Sequence, residues 1–250
     1  MKVVNVNPPP NCQDCHLGDL CVFGALEGND ITDFRSVRGP CSHVPSGTVL
    51  FTEGAPADVL FTIYDGWVLK YRHAENGGRH IVSVALPGDL VGEYSDNWST
   101  WQYSAETLTD SKLCRINRAR LVAFRQAHPQ LAEATIRLAR ADERILLEHI
   151  LSITRRTAHD GIIHLLLEIY FRLRQRDLAS DATEVEVPLT QEQVGDMLGL
   201  TTEYVNRRLS EINSEGMISL HRKRLIVHDV DRVAASVNFS PSFLIATNTK

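Results

Sequence analysis

One stretch divides this chain into two differently built halves. After Pro129, residues Ile136, Ala139, Glu143, Leu146, Ile150 and Ile153 recur at alternating steps of three and four. That spacing keeps one edge of a helix turned toward a partner helix over many turns. Pro129 suits the first helical turn, where its missing N–H has no intrahelical bond to lose. A helix of ~26 residues is ~39 Å long, more than a small domain needs. Residues 129–156 therefore read as a dimerisation helix, with those six residues as its dimer interface. Glu143 puts a carboxylate in the seam, where it would face its counterpart. Leu138, Ile145, Leu147 and Leu151 widen the apolar surface, so one side can pack on its own chain.

Ahead of that helix, glycines recur at Gly47, Gly54, Gly66, Gly77-Gly78, Gly88 and Gly92. Between them lie short β-branched and aromatic runs: Thr48–Thr52, Val59–Tyr64, Trp67–Arg72 and His80–Leu86. Short strands with glycine turns at this spacing predict a small antiparallel barrel or sandwich. Asn76-Gly77 predicts a hairpin with a type I′ turn, which needs positive φ at both central residues.

Beyond the helix the pattern is that of a compact helical module. Thr157-Ala-His-Asp160 is a capping-box pattern opening a helix with Ile162, Leu165, Leu166, Ile169 and Leu173 on one face. Asp177 to Thr183 reads as a polar connection. Thr190-Gln-Glu-Gln193 is a second capping box, opening a short helix that turns Val194, Met197 and Leu198 inward and ends at Gly199. Thr201 or Thr202 caps the next helix, so the pair forms a helix-turn-helix.

That second helix has two faces. Val205, Leu209 and Ile212 form a buried stripe, while Glu203, Asn206, Arg207 and Ser210 lie opposite. Arg takes guanine O6/N7 in two hydrogen bonds, Asn takes adenine N6/N7, and Glu accepts from cytosine N4. Two short β segments, Ile218–His221 and Arg224–His228, surround Arg222-Lys223, a wing with a cationic tip suited to phosphate. The candidate DNA contacts are Thr190, Thr202, Glu203, Asn206, Arg207, Arg208, Ser210 and Lys223. A dimer presents them twice, to two half-sites one helical turn apart.

Composition bounds the rest. Lys+Arg is 26 against 31 Asp+Glu, a formal net charge of -5, so DNA binding must come from a local patch. No apolar run approaches the ~20 residues that span a bilayer. Residues 1–10 carry no secretory pattern. Five cysteines in such a chain point to a reducing, cytoplasmic setting, where thiols are metal ligands or redox groups more often than disulfides. Residues 1–24 hold three of them and are too short to bury a core, so they must pack on something or close around a metal. No Ser/His/Asp set, phosphate loop or His-rich site suggests an enzyme. The rival from that class is a thiol oxidoreductase using Cys12-Gln-Asp-Cys15, which lacks a thioredoxin-like βαβ context.

Together these features resemble the CRP/FNR family of bacterial transcription regulators. The resemblance rests on Gly47-Thr-Val-Leu-Phe-Thr-Glu-Gly54, Asp65-Gly66-Trp67, Leu86-Pro-Gly-Asp-Leu-Val-Gly92 and the run from Pro188 to Arg207. It implies an α+β fold with a 1–25 cysteine-rich sensor segment and a 26–128 cyclic-nucleotide-binding-like β-roll (a jelly-roll barrel). The long helix 129–156, a 157–237 winged helix-turn-helix and a 238–250 tail follow. It also implies a homodimer, a palindromic double-stranded DNA operator and RNA polymerase as partner.

Cyclic-nucleotide sensors of the family have an Arg before a Ser/Thr-Ala pair, and a Glu after the glycine that matches Gly92. Here Tyr103 precedes Ser104-Ala105, and a buried phosphate without a cation is costly, so no cyclic nucleotide is expected. The cysteines resemble the oxygen-sensing FNR arrangement instead. Cys12-x2-Cys15-x5-Cys21 with distant Cys114 would hold a [4Fe–4S] cluster. The resemblance picks Cys114 as fourth ligand and leaves Cys41 as a packing thiol. Structural zinc and a Cys12/Cys15 thiol switch are the rival uses of the same sulfurs, and Trp67, Trp98 and Trp101 could line a pocket for another effector. The FNR subgroup reads DNA with Glu-x-x-Ser-Arg, whereas this helix carries Glu203-x-x-Asn206-Arg207.

Overall fold

The computed structural model describes residues 12, 15, 17, 20–92, 99–179 and 183–244. The chain divides into two compact units, and the division falls inside the long helix, after Arg140.

In the first unit a short helix α1 (Asn29–Asp33) precedes eight strands: β1 (Arg38–Val44), β2 (Val49–Phe51), β3 (Val59–Asp65), β4 (Val68–His73), β5 (Arg79–Ala85), β6 (Leu90–Val91), β7 (Ser104–Thr107) and β8 (Ser111–Asn117). They form two four-stranded sheets, in the orders β1-β8-β3-β6 and β2-β7-β4-β5. Alternation puts Phe51, Ile63, Val68, Val91, Ala105 and Leu113 into the core of this sandwich, with Trp101 stacked on Phe51 at 4.0 Å. Trp67 and Trp101 are each 2% exposed, so both are core residues rather than pocket walls; Trp98 lies outside the described residues.

Four strands coincide with the runs expected from sequence. The others escape a periodicity reading for physical reasons. Strand β1 holds Gly39 and Pro40, tolerable because it lies at a sheet edge. Strand β6 is two residues long. The Asn76-Gly77 hairpin is present, but it is not a type I′ turn. Only Gly77 has positive φ, Ala74 N–H donates to Gly78 O, and the Asn76 side chain accepts from Gly78 N–H.

A second core lies against the other face of β3 and β8. Val22, Phe23, Leu26, Phe34 and Val37 from the N-terminal segment pack there with Leu60 and Ile116. Leu121 from α2 (Arg118–Ala127) and Leu131 from α3 (Pro129–Thr154) complete it. So the segment too short to hold a core alone borrows the back of the sandwich. Helix α2, not anticipated from sequence, is capped by Asn117, whose side chain accepts from Arg120 N–H.

Helix α3 is continuous from Pro129 to Thr154. Ile136, Leu146, Leu147, Ile150, Leu151 and Ile153 are exposed along it, Ile150 to 55%. Glu143 is also exposed and Ala139 half-buried.

The second unit contains α4 (Ala158–Gln175), β9 (Glu184–Glu186), α5 (Gln191–Leu198), α6 (Thr202–Ser214), β10 (Ile218–His221), β11 (Arg224–Val227) and α7 (Val230–Ser236). Thr157 caps α4 by accepting from Asp160 N–H. Asp160 instead pairs with His159, so only half of the expected capping box forms. Helix α4 is also buried on more than the one predicted face: Ile163, Leu167, His164, Glu168 and Arg172 are buried beside the expected residues. Glu168 is satisfied internally, by His149 at 2.7 Å and Arg172 at 3.2 Å, whereas Nδ1 of His164 is buried without a hydrogen-bond partner among the described residues. Burial pushes the Glu168 carboxyl up, but His149 and Arg172 more than offset it and hold it below the usual range. Strand β9, which begins just after the expected polar connection Asp177–Thr183, joins β11 and gives the sheet order β10-β11-β9. The start of the 238–250 tail packs on this unit. Phe239 and Leu244 are buried, and Phe239 stacks on Phe171 at 5.4 Å; residues 245–250 lie outside the described ones. Among the described residues no helix is long and apolar enough to cross a membrane.

Candidate functional site

The first unit carries a cavity lined by sulfur. Backbone turns set up its near wall: Cys15 N–H donates to Cys12 O, Cys21 N–H to Leu17 O, and Gly24 N–H to Cys21 O. These fold the chain so that Cys12, Cys15 and Cys21 face one space, and Cys114 on β8 closes it from the sandwich. Leu17, Phe23, Phe34, Ile63 and Tyr64 make the rest mainly apolar, and Arg38 is the charged residue among its lining. Burial pushes the Cys21 thiol up to about 12. Burial also raises the Cys12 thiol, against the opposing pull of Arg38. Both thiols therefore hold their protons near neutral pH unless a cation takes their place.

One sequence expectation is corrected here. Cys41 is not a spare packing thiol: it is joined to Cys114 in a disulfide. The two stand directly opposite each other on antiparallel β1 and β8. While that bond exists, Cys114 has no thiolate to offer a metal, and the free cysteines are Cys12, Cys15 and Cys21. Among the described residues no three or more Cys, His, Asp or Glu already converge as a ligand set. In kind and number the four cavity sulfurs suit an iron–sulfur cluster or a zinc ion once Cys114 is reduced.

Tyr103, on the same unit, is engaged by the backbone. Its hydroxyl accepts from Gly92 N–H at 2.9 Å and donates to Gly92 O at 3.1 Å. Thus it is spent on the backbone of the loop before Glu93, which itself lies outside the described residues.

The second unit builds the winged helix-turn-helix from its caps upward. Thr190 and Gln193 form a complete capping box on α5, and Gly199 ends that helix in the left-handed region at φ 68°. Thr201, not Thr202, caps α6 by accepting from Tyr204 N–H at 3.3 Å. Val205, Leu209 and Ile212 are buried, which turns Glu203, Asn206, Arg207 and Ser210 outward and exposed. Arg207 lies over the Tyr204 ring at 4.8 Å, a contact that limits its wandering. Thr190 and Thr202 are exposed near the start of α5 and α6. Arg208 is placed differently from its neighbours: it pairs with Glu211 at 2.7 Å and packs on Tyr204, so it braces the helix.

The wing closes through a tight turn with an unusual backbone. Arg222 and Lys223 both have positive φ, 48° and 68°, the type I′ pattern that Asn-Gly usually supplies. Two long cations are held at a tip that disfavours them, and both are exposed. Arg224 is less available, since Glu184 on β9 pairs with it. A further functional residue, Gly195, was not singled out by sequence. A Cβ there would sit 2.5 Å from the Leu200 carbonyl oxygen, so α5 meets the turn only because position 195 is bare. Its signal was a glycine inside a helix pattern, which costs stability and needs a packing reason.

Two domain models match the chain in the order of these two units. Residues 41–128 match a cyclic nucleotide-binding domain, and residues 162–236 match a Crp-like helix-turn-helix domain. The chain belongs to the CRP/FNR family of transcription regulators. As a member it is a DNA-binding regulator of that type. It is 26% identical over 230 residues to the transcriptional activator protein Anr of Pseudomonas aeruginosa, covering 92% of this chain and 93% of that one. It is 27% identical over 222 residues to the anaerobic regulatory protein of Pasteurella multocida, covering 88% and 80%. Its fold is that of FixK2 from Bradyrhizobium japonicum, with a TM-score of 0.68 at 22% identity over 78% of this chain and 95% of the other.

Proposed function

We propose that this regulator is a homodimer whose binding to a palindromic operator answers to oxygen, through a [4Fe–4S] cluster on Cys12, Cys15, Cys21 and Cys114. The observation that carries the reading is the shared cavity. Three cysteines near the N-terminus and one far along the chain on β8 line a single, mainly apolar space. Relatives named for anaerobic regulation support the same direction. A cluster bound there supplies an oxygen-labile redox centre. The residues do the rest. Cys12, Cys15 and Cys21 tie the N-terminal segment to Cys114, and that segment packs on the core that also receives Leu131 of α3. Order in the segment is thereby linked to the start of the long helix.

Along that helix, Ile136, Leu146, Ile150 and Ile153 offer an exposed apolar stripe, with Ala139 and Glu143 on the same seam, for a second copy of the chain. Glu203, Asn206 and Arg207 are the base readers. Thr190, Thr202, Ser210 and Lys223 flank them as backbone contacts, and RNA polymerase is the partner for a regulator so placed. Zinc is the second reading, favoured by the same four-sulfur count. Purification without oxygen, followed by iron and sulfide analysis, decides between them. About four of each per chain is expected. Iron-free protein carrying zinc would overturn the cluster.

A further inference from the structure

We propose that Cys41 is a resolving thiol for Cys114, so that a disulfide and a metal compete for one sulfur. The inference rests on the reading of Cys114 as a ligand. Cys114 faces two ways in chemical terms. It lines the cavity with Cys12, Cys15 and Cys21, and it stands in register with Cys41, to which it is bonded. Cys41 does not line the cavity. A sulfur cannot be both half of a disulfide and a thiolate ligand, so the two states exclude each other.

Access is divided between the pair. Cys114 is 6% exposed, whereas Cys41 is half-exposed on an edge strand. A dissolved reagent therefore meets Cys41 first. Arg38 donates to the sulfur of Cys41 at 3.1 Å and to that of Cys114 at 3.4 Å. Its guanidinium holds the sulfurs side by side and favours negative charge on whichever is released.

The oxidant is a low-molecular-weight disulfide, RS–SR. The Cys41 thiolate attacks one of its sulfurs, an S–S bond breaks, and RS⁻ leaves with an electron pair. The Cys114 thiolate then attacks the Cys41 sulfur of the mixed disulfide, and a second RS⁻ leaves. The two cysteines lose two electrons and two protons, and the reagent becomes two RSH. A dithiol reverses both steps. In the oxidised state the cavity keeps three thiols, so a metal centre cannot be completed until a reductant frees Cys114.

The test uses the full chain without metal, treated with oxidised glutathione, then alkylated and digested for mass spectrometry. The expected product is a linked peptide pair containing Cys41 and Cys114, with Cys12, Cys15 and Cys21 alkylated. Cobalt(II) is the probe of the second consequence. Reduced wild-type protein should give the intense visible bands of tetrahedral cobalt–thiolate, and glutathione-treated protein should lose them. Cys41→Ser, with Cys41→Ala as a second variant, should lose them about tenfold more slowly. Absence of the Cys41–Cys114 peptide, or bands lost equally fast in the variants, would overturn the proposal. Reduced wild-type protein that forms the linked peptide yet never binds cobalt would instead defeat the metal reading.

Discussion

Gly195→Ala is a sharp test of how the recognition helix is seated. Ordinary helix propensity says that the change should help, by about 1 kcal/mol, because alanine loses less backbone freedom than glycine. The structure says the opposite. The new Cβ would lie 2.5 Å from the Leu200 carbonyl oxygen, a backbone atom in the turn. Ordinary contact begins at 3.4 Å, so the turn must retreat by about 0.9 Å. Leu200 N–H also donates to Gly195 O at 3.0 Å, so the displacement strains that bond too. Overpacking of this kind costs about 1–3 kcal/mol, which cancels the propensity gain at the low end and leaves a net loss of about 2 kcal/mol at the high end. Because Thr201, the cap of α6, follows Leu200 directly, the helix moves with the turn. Denaturant titration reads the stability, and gel shift against a duplex selected by the wild-type protein reads binding, which should fall roughly tenfold or more. A variant more stable than wild type with full affinity would show that the turn takes the methyl group without moving α6.

Three other outcomes follow from the same geometry. Arg207→Ala should lose about 1–3 kcal/mol of specific binding, while Lys223→Ala should mainly lower the salt dependence, both read by titration at several salt concentrations. His164 is buried, which lowers its imidazole to about 4, so unfolding takes up a proton below the unfolded value near 6.5. Stability should thus be full above pH 6.5 and fall by about 2 kcal/mol between pH 6.5 and 5, and His164→Gln should flatten that slope in denaturant titrations. The raised Cys12 and Cys21 thiols must shed their protons to a metal, so zinc binding in weakly buffered solution should release at least about two protons per chain and weaken as pH falls.

What could be read from sequence was what depends on neighbours along the chain. The Thr190–Gln193 box, the Gly199 stop and the Val205–Leu209–Ile212 stripe are local patterns, and each is where the pattern puts it. The long helix begins at Pro129 and ends two residues before the expected Arg156. What escaped depends on who lies opposite. Cys41 and Cys114 are 73 residues apart, and the strand holding Cys41 is disguised by Gly39-Pro40, so their pairing has no local signature. The Leu200 carbonyl that gives Gly195 its purpose is likewise a matter of packing. Turn chemistry misled in one place and was overridden in another. Asn76-Gly77 sits in a longer loop that does not need two positive φ values, while the tight β10–β11 hairpin imposes them on Arg222 and Lys223. Arg208 was legible as a cation but not as one already paired with Glu211.

In the function proposed for this regulator, the sulfur cavity governs what the winged helix reads. Selection of bound duplexes from a random library, with protein kept free of oxygen and then with the same protein after air, tests it directly. An inverted repeat should be enriched only in the oxygen-free arm, and lost from both arms when Cys114 is replaced by serine. The same repeat enriched equally in both arms, with or without Cys114, would contradict it.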